Sequence, residues 1–311
     1  MKIKILGTES FGVRGLCCVV EIRDRNIVID PGLALGYRRF NLLPHPFQIV
    51  VGRKVRKDII HALKNCTDLV ISHYHGDHIP LVEANPYQLS AQEITSYLKK
   101  PRLWCKGLQD VSAAMAKRCK DLSEILDREI SSAEGETDGV LSFSRSMPHG
   151  EREKKLSTVM MVRVKEKNEV FVHASDIQLL DDEPIKQILE WKPDVVLTSG
   201  PPLYLPQLSL RKRKKAWENA LILGNEVRTF ILDHHLLRCE EGYRFIKDLS
   251  ESTGHSVYCA ADYMGKRPLL LEAWRSRLYR EMPVPKGWHK SYTRGQANFE
   301  PYKTWKEWNF S

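Results

Sequence analysis

The chain contains no apolar run approaching the roughly 20 residues that a membrane-spanning helix needs. Its opening residues, MKIKILGTES, interrupt a few apolar side chains with lysines and lead into no small-residue cleavage site, so a secretory leader is not expected. The expectation is a soluble, cytoplasmic protein with no membrane partner. Cysteine is scarce and unpaired in pattern. Seven residues, Cys17, Cys18, Cys66, Cys105, Cys119, Cys239 and Cys259, are odd in number and never spaced C-x-x-C. That argues against a disulfide framework and a cysteine zinc knuckle, and leaves buried, reduced thiols as the simplest reading. Internal repeats and low-complexity linkers are also missing. Acidic residues are in the minority, 39 against 48 Lys and Arg, for a formal charge of +9. That balance favours anionic partners, a small molecule or a nucleic acid, without choosing between them.

What is present suits a packed core: 311 residues, 42% hydrophobic, with 7 Trp and 11 Tyr. This length is near the upper limit for one hydrophobic core. Residues 2–6, 16–22 and 26–29 are short, rich in β-branched side chains and bounded by glycine or charged turns, and predict consecutive strands. Residues 58–66 carry apolar positions at helical spacing, and 68–71 predict a buried strand. Helical spacing dominates 90–128, with Asp110 as a plausible cap for a helix ending near Leu126. Strands follow at 140–143, 158–164, 170–172, 195–197, 228–232 and 257–259, with helices expected near 184–191, 210–223, 243–249 and 269–279. Strands early and late with helices between them suit two packed sheets covered by helices. We divide the chain into a domain over 1–282, with a helical elaboration at about 90–130, and an aromatic-rich tail over 283–311. That tail carries Trp288, Tyr292, Phe299, Tyr302, Trp305 and Trp308, too much aromatic surface to leave in water, and is expected to pack on the domain or a partner.

The most informative stretch is His73-Tyr74-His75-Gly76-Asp77-His78, at the end of the predicted strand 68–71. Imidazole and carboxylate are the donors that hold Zn²⁺ and similar ions at neutral pH. His73 and His75, two apart in extended chain, point the same way and can share one ion, while a turn at Gly76 offers Asp77 and His78 to another.

The pattern H-x-H-x-D-H resembles the signature of the metallo-β-lactamase superfamily, which implies an α/β (α+β) fold, a four-layer αββα sandwich. The resemblance extends piece by piece. Asp30, in Ile29-Asp30-Pro31-Gly32, matches an early aspartate that supports the site from behind its ligands. His149, in Pro148-His149-Gly150, matches the third histidine of the first metal. Asp176 matches the carboxylate that bridges two ions. His234 matches the last histidine of the second, with His235 beside it as the alternative ligand or the proton donor. Thr198-Ser199-Gly200-Pro201-Pro202 and Asp233-His234-His235-Leu236-Leu237 further resemble a mainly archaeal branch of expected metallo-hydrolases, a likeness that supplies no substrate.

These residues imply two divalent ions, zinc first, with Mn²⁺ or Fe²⁺ as alternatives. Ions about 3.5–4 Å apart can hold a nucleophilic hydroxide between them. His73, His75 and His149 would complete one coordination sphere, Asp77, His78 and His234 the other, and Asp77 would orient the hydroxide or take its proton. The leaving group's proton could come from His235, Tyr204 or Tyr263.

The expected activity is metal-dependent hydrolysis, on a phosphodiester or other anionic substrate. Alternatives are a lactone, thioester or small-ester hydrolase, an iron-dependent oxidoreductase on the same fold, and a non-catalytic metal scaffold. His75 stands where a redox di-iron branch of the superfamily typically has glutamate, which favours hydrolysis. Outside the metal set, His45 between two prolines is the first choice for a substrate contact, and His173 is open between site and structure. His61 and His255 are expected to be structural. Two basic clusters, 211–215 and 53–57 with Arg38 and Arg39, are candidate anion contacts, the second expected in a long loop bordering the cleft.

Overall fold

A computed structural model describes residues 1–151 and 157–303. Its first sheet orders five strands as in the sequence: β1 (Lys2–Gly7), β2 (Cys17–Ile22), β3 (Arg25–Ile29), β4 (Asp68–Ile71) and β5 (Arg102–Cys105). The first three pair antiparallel, and β3, β4 and β5 run parallel. Chain order continues with β6 (Thr137–Asp138), β7 (Leu141–Phe143), β8 (Met147–Pro148), β9 (Thr158–Val159), β10 (Val162–Glu166), β11 (Glu169–His173), β12 (Val195–Thr198), β13 (Thr229–Leu232) and β14 (Val257–Tyr258). The second sheet takes the order β14-β13-β12-β11-β10-β7-β6, and β8 pairs with β9 apart from it. Parallel pairing from β11 to β14 requires crossover helices. These are α4 (Asp182–Glu190), α5 (Leu210–Glu226) and α6 (Glu240–Thr253), numbered after α1 (Pro46–Lys64), α2 (Thr95–Leu98) and α3 (Ala113–Leu126).

Burial explains the layering. Every residue of β4 and of β12 is buried, and β2 is buried at all but one position, so the central strands are covered on both faces. One face of each sheet meets the other sheet and the opposite face meets helices, α1 against β1 and α5 against β13. This is the αββα sandwich. Among the described residues no helix is long and apolar enough to cross a membrane.

Several expected elements change. α1 starts at Pro46 rather than near residue 58: the His45 side chain accepts the Phe47 N–H as a cap, and proline occupies the first helical position, where its missing N–H costs nothing. The run 53–57 is therefore helix, not loop, with Val55 buried and Arg53, Lys54 and Lys57 exposed. His45 is itself fully buried, its Nε2 donating to the Met282 carbonyl at 2.8 Å, which removes it as a substrate contact. Region 90–130 is not wholly helical. β5 pairs with β4 inside it, and α3 is capped by Ser112, which accepts the Met115 N–H, rather than by Asp110. The expected strand 158–164 splits between β9 and β10, and the helix near 269–279 shortens to α8 (Arg275–Glu281), after α7 (Ala260–Tyr263).

The described part of the tail, including α9 (Trp288–Thr293), lies on the body of the fold. Trp288 and Tyr302 are buried, Tyr292 stacks on Tyr87 with centroids 5.5 Å apart, and His289 sits between the hydroxyls of Tyr87 and Tyr279. Trp305 and Trp308 lie outside the described residues.

Candidate metal centre

The site forms where strands of both sheets end. β4 delivers Ser72 to His78, β8 leads into His149, β11 into Asp176, and β13 into His234 and His235. Side chains 161 residues apart in sequence converge on Asp176. His73 Nε2 lies 3.5 Å from its Oδ2, His149 Nε2 3.3 Å, His235 Nε2 3.2 Å and His75 Nδ1 3.9 Å. On the other oxygen, His78 Nε2 is 3.1 Å and His234 Nε2 3.6 Å from Oδ1. Asp77 Oδ2 is 3.4 Å from His234 Nε2. The donor atoms fall into groups, His73-His75-Asp176, His149-Asp176-His235 and Asp77-His78-His234, each compact enough to surround a cation. All seven sequence-expected ligands are thus brought together, and His235 joins the His149 side rather than the Asp77 side.

A second set of residues holds this array. Asp30 Oδ1 accepts the Ser72 N–H at 2.8 Å, and its Oδ2 lies 2.9 Å from His78 Nδ1 and accepts the Ser72 hydroxyl at 2.5 Å. Ser72 Oγ in turn faces His73 Nδ1 at 2.9 Å and Ser175 Oγ at 2.6 Å. A hydroxyl that donates to Asp30 accepts from His73 Nδ1, which leaves the His73 Nε2 lone pair aimed into the site. Asp30 and Ser175 both adopt left-handed φ, 48° and 52°, a conformation costly outside glycine and found where a site demands it. Gly32 lies against the backbone of His78 so closely that a Cβ would meet the His78 carbonyl carbon at 2.2 Å.

The protonation pattern suits a metal. Burial, with His78 and His75 beside it, pulls His73 down to about 3, and burial with Arg238 pulls His234 down to about 4. Burial lowers His149 and His235 as well. Burial alone would raise Asp77 and Asp176, but the surrounding histidines, and for Asp77 also Arg238, hold both well below the usual carboxylate range. His78 runs the other way: burial depresses it, yet Asp176 and Asp30 at its two nitrogens push it up. Neutral imidazoles around ionised carboxylates are the ligating forms. Asp176 Oδ1 is buried with His78 Nε2 at 3.1 Å and His234 Nε2 at 3.6 Å, so a cation held between these atoms would take up its charge. The His73-His75-His149-Asp176 residues fit a divalent ion of the kind that the pattern implies, whereas His78 is pushed towards its charged form and Arg238 contacts His234 in the other half.

Sequence reasoning missed Arg238, Glu9 and Asp233. Asp233 accepts Thr8 Oγ1, the Ser10 N–H and the Ala260 N–H at 2.8–3.0 Å, fixing the turn that carries both histidines. Arg238, four residues after His234, reaches into the site from a short 3₁₀ turn, Leu236–Arg238. The i, i+4 spacing was the one available signal. Other candidates fall away. Tyr263 packs on Tyr258, and none of its described contacts reaches a ligand. His173 is held by the Leu16 carbonyl and the Ser175 N–H, a structural role. His61 and His255 are exposed. In the cluster 211–215, Lys212 pairs with Glu151, Arg213 with Glu241 and Lys215 with Asp182. Arg53 of the other cluster lies over the Phe299 ring. Arg39 approaches the cleft, stacking on Tyr204 and donating to the Arg238 carbonyl, and Lys212, paired with Glu151, lies in a cavity beside His149.

Comparison with known proteins agrees with this geometry. Residues 11–83, spanning Asp30 and the histidine run, match the metallo-beta-lactamase superfamily model. A UPF0282 protein of Methanosarcina mazei is 51% identical over 302 residues, covering 97% of this chain and 99% of its own. The chain belongs to the UPF0282 family. Another UPF0282 protein, SSO3251 of Saccharolobus solfataricus, is 32% identical over 313 residues, covering 96% and 98%. Among solved structures, Tm1679, described as a metal-dependent hydrolase of the beta-lactamase superfamily, aligns with a TM-score of 0.49 at 16% identity, over 86% of this chain and 96% of that one. Residues 11–83 of this UPF0282 chain are thus similar to the metallo-beta-lactamase superfamily model, and its His and Asp side chains form groups that could hold a metal ion.

Proposed function

We propose that this UPF0282 protein is a metal-dependent hydrolase whose substrate is a phosphodiester or another anion. The observation that carries the reading is the convergence on the buried Asp176 carboxylate, at the end of β11, of ligand-type nitrogens from three other strand ends. Divalent ions, zinc foremost, would be held there by these residues and would supply Lewis acidity that makes water a nucleophile near neutral pH.

The protein's own residues do the rest. The array opens to solvent on one side, where His75 is 32% exposed and Asp77 17%. Asp77, ionised at this edge, would accept the proton of the attacking water, and His235, neutral beside His149, would take that proton up and pass it to the leaving group. Tyr204 Oη, 3.4 Å from His235 Nδ1, supports the ring from behind. A cavity of about 250 Å³ adjoins His149 and is lined by Lys212 and Gln178. Arg39 at the rim and the net charge of +9 support an anionic substrate, while Lys212 in the cavity is paired with Glu151. The same cavity has a wall of Leu180, Pro202, Leu205 and Leu208, which favours a second reading, an ester, lactone or thioester with an apolar acyl group.

Zinc-loaded protein and its Asp77→Ala variant, assayed on a chromogenic phosphodiester, labelled RNA, a lactone and a thioester, separate these readings. The first reading expects phosphodiester or RNA turnover that falls about 100-fold or more in the variant. Turnover of the lactone or thioester alone selects the second. No turnover of any, by folded and metal-loaded protein, rejects hydrolysis in favour of a scaffold, and iron retained by protein from its native host would direct attention to redox chemistry.

A further inference from the structure

The histidines of the site are not equally prepared to bind an ion. An imidazole ligating through one nitrogen must carry its proton on the other, and that N–H needs an acceptor. His78 Nδ1 has the Asp30 carboxylate at 2.9 Å, His73 Nδ1 has Ser72 Oγ at 2.9 Å, and His149 Nδ1 has Ser157 Oγ at 3.0 Å. His234 has the opposite surroundings. Its Nδ1 faces a donor, the Gly15 N–H at 3.2 Å, with the carboxylate of Glu9 no nearer than 3.8 Å. Its Nε2, the atom aimed at Asp77 and Asp176, faces Arg238 Nη2 at 2.8 Å, so donors stand at both ring nitrogens of an imidazole that has a single lone pair when neutral. One in-plane lone pair serves either that N–H or a metal ion, not both.

Arg238 is also built in rather than draped across the site. It is 5% exposed, its Nε donates to Glu9 at 2.8 Å, its Nη1 to Tyr204 Oη at 3.1 Å, and its Nη2 lies 3.3 Å from Asp77 Oδ2. Guanidinium keeps its charge at any working pH, so the Asp77-His78-His234 group already contains a fixed cation paired with one of its carboxylates. A divalent ion entering that group loses part of the Asp77 charge to Arg238 and is repelled by a like charge in a poorly screened interior.

We propose that Arg238 is a resident cation of the second half of the site, so that the protein holds one divalent ion tightly in the His73-His75-His149-Asp176 half and admits a second only by breaking the contact between Arg238 and His234. The inference rests on the reading of the site as a metal centre. It makes Arg238 a positioning residue for Asp77 and His234, and the second ion the conditional one.

The test is a zinc titration of metal-depleted protein against a competing chromophoric chelator, with zinc per chain measured after dialysis. The unaltered protein is expected to retain one zinc and to bind a second at least about 100-fold more weakly. Arg238→Met, which removes the charge at similar length, is expected to bring the two affinities within about 10-fold and retain two. Because Glu9 loses its partner in that variant, Glu9→Gln with Arg238→Met is titrated beside it. Two zinc ions bound with equal affinity by the unaltered protein overturn the assignment and leave the metal-centre reading standing. Folded variants that still retain one zinc overturn it as well. No zinc on any form overturns the metal-centre reading and the assignment together.

Discussion

Replacing Asp30 by Asn should weaken metal binding without removing a single ligand. Asn tolerates the left-handed φ of 48° that Asp30 adopts, so the backbone can stay in place. The loss is electrostatic and directional. The carboxylate now accepts the Ser72 N–H, the Ser72 hydroxyl and the His78 Nδ1 proton, and an amide can replace one of its two oxygens only with a donor. Facing His78 Nδ1, that donor would favour the tautomer with its proton on Nε2, the nitrogen aimed at Asp176. The Ser72 hydroxyl shares that Oδ2, so the same donor would also break the chain that orients His73, whereas at the Oδ1 position it would face the Ser72 N–H. Losses of a partner behind a ligating histidine typically cost about 10–100-fold in metal affinity, or about 1.4–2.8 kcal/mol. Competition with a chromophoric zinc chelator reads this directly, and far-ultraviolet circular dichroism checks the fold. A folded Asp30→Asn protein whose zinc affinity stays within twofold of the parent would refute the reasoning that Asp30 sets the tautomers of His73 and His78.

Other consequences follow from the fold. Burial pulls His45 down to about 4, against an ordinary value near 6.5, the hydrogen bond from Nε2–H to the Met282 carbonyl opposing it and the nearby His289 and Arg275 adding to it. The unfolded chain therefore binds this proton first, and the stability that neutral His45 contributes is full above about pH 6.5 and declines as pH falls towards 4. Urea midpoints at pH 7 and pH 5 should draw together for His45→Asn, which keeps a capping side chain, and equal pH sensitivity in parent and variant would count against the assignment. Phe171→Ala, in the fully buried centre of β11, should cost about 3–5 kcal/mol in denaturant unfolding, and a loss under 1 kcal/mol would mean that the second sheet packs differently. Gly32→Ala should cost about 2 kcal/mol or more and weaken zinc retention, since its Cβ would press on the His78 backbone; a neutral outcome in both assays would contradict that close approach.

Much of this was legible in the sequence, for identifiable reasons. Strands β2, β4 and β11 to β13 are buried on nearly every residue, β1 alternates and β3 is buried over its last three, and short β-branched runs between glycines and charges have few other readings. The ligands announced themselves because imidazoles two apart before a turn have a geometric meaning. What stayed hidden depended on contacts across the chain. α1 was obscured by the proline-flanked His45, whose capping role appears only once its ring is buried against Met282. β5 was masked by helical spacing on both sides, and its pairing with β4 is a tertiary fact. Glu9 and Arg238, 229 residues apart, acquire meaning only when the fold brings them to His234.

The central claim is that the histidines and aspartates gathered on Asp176 form a metal centre. Crystals of zinc-equilibrated protein, with an anomalous difference map recorded at the zinc edge, test it most directly. The account predicts a peak about 2.0–2.2 Å from nitrogens of His73, His75 and His149. A map with no peak among these side chains, or with zinc bound only elsewhere on the surface, would contradict it.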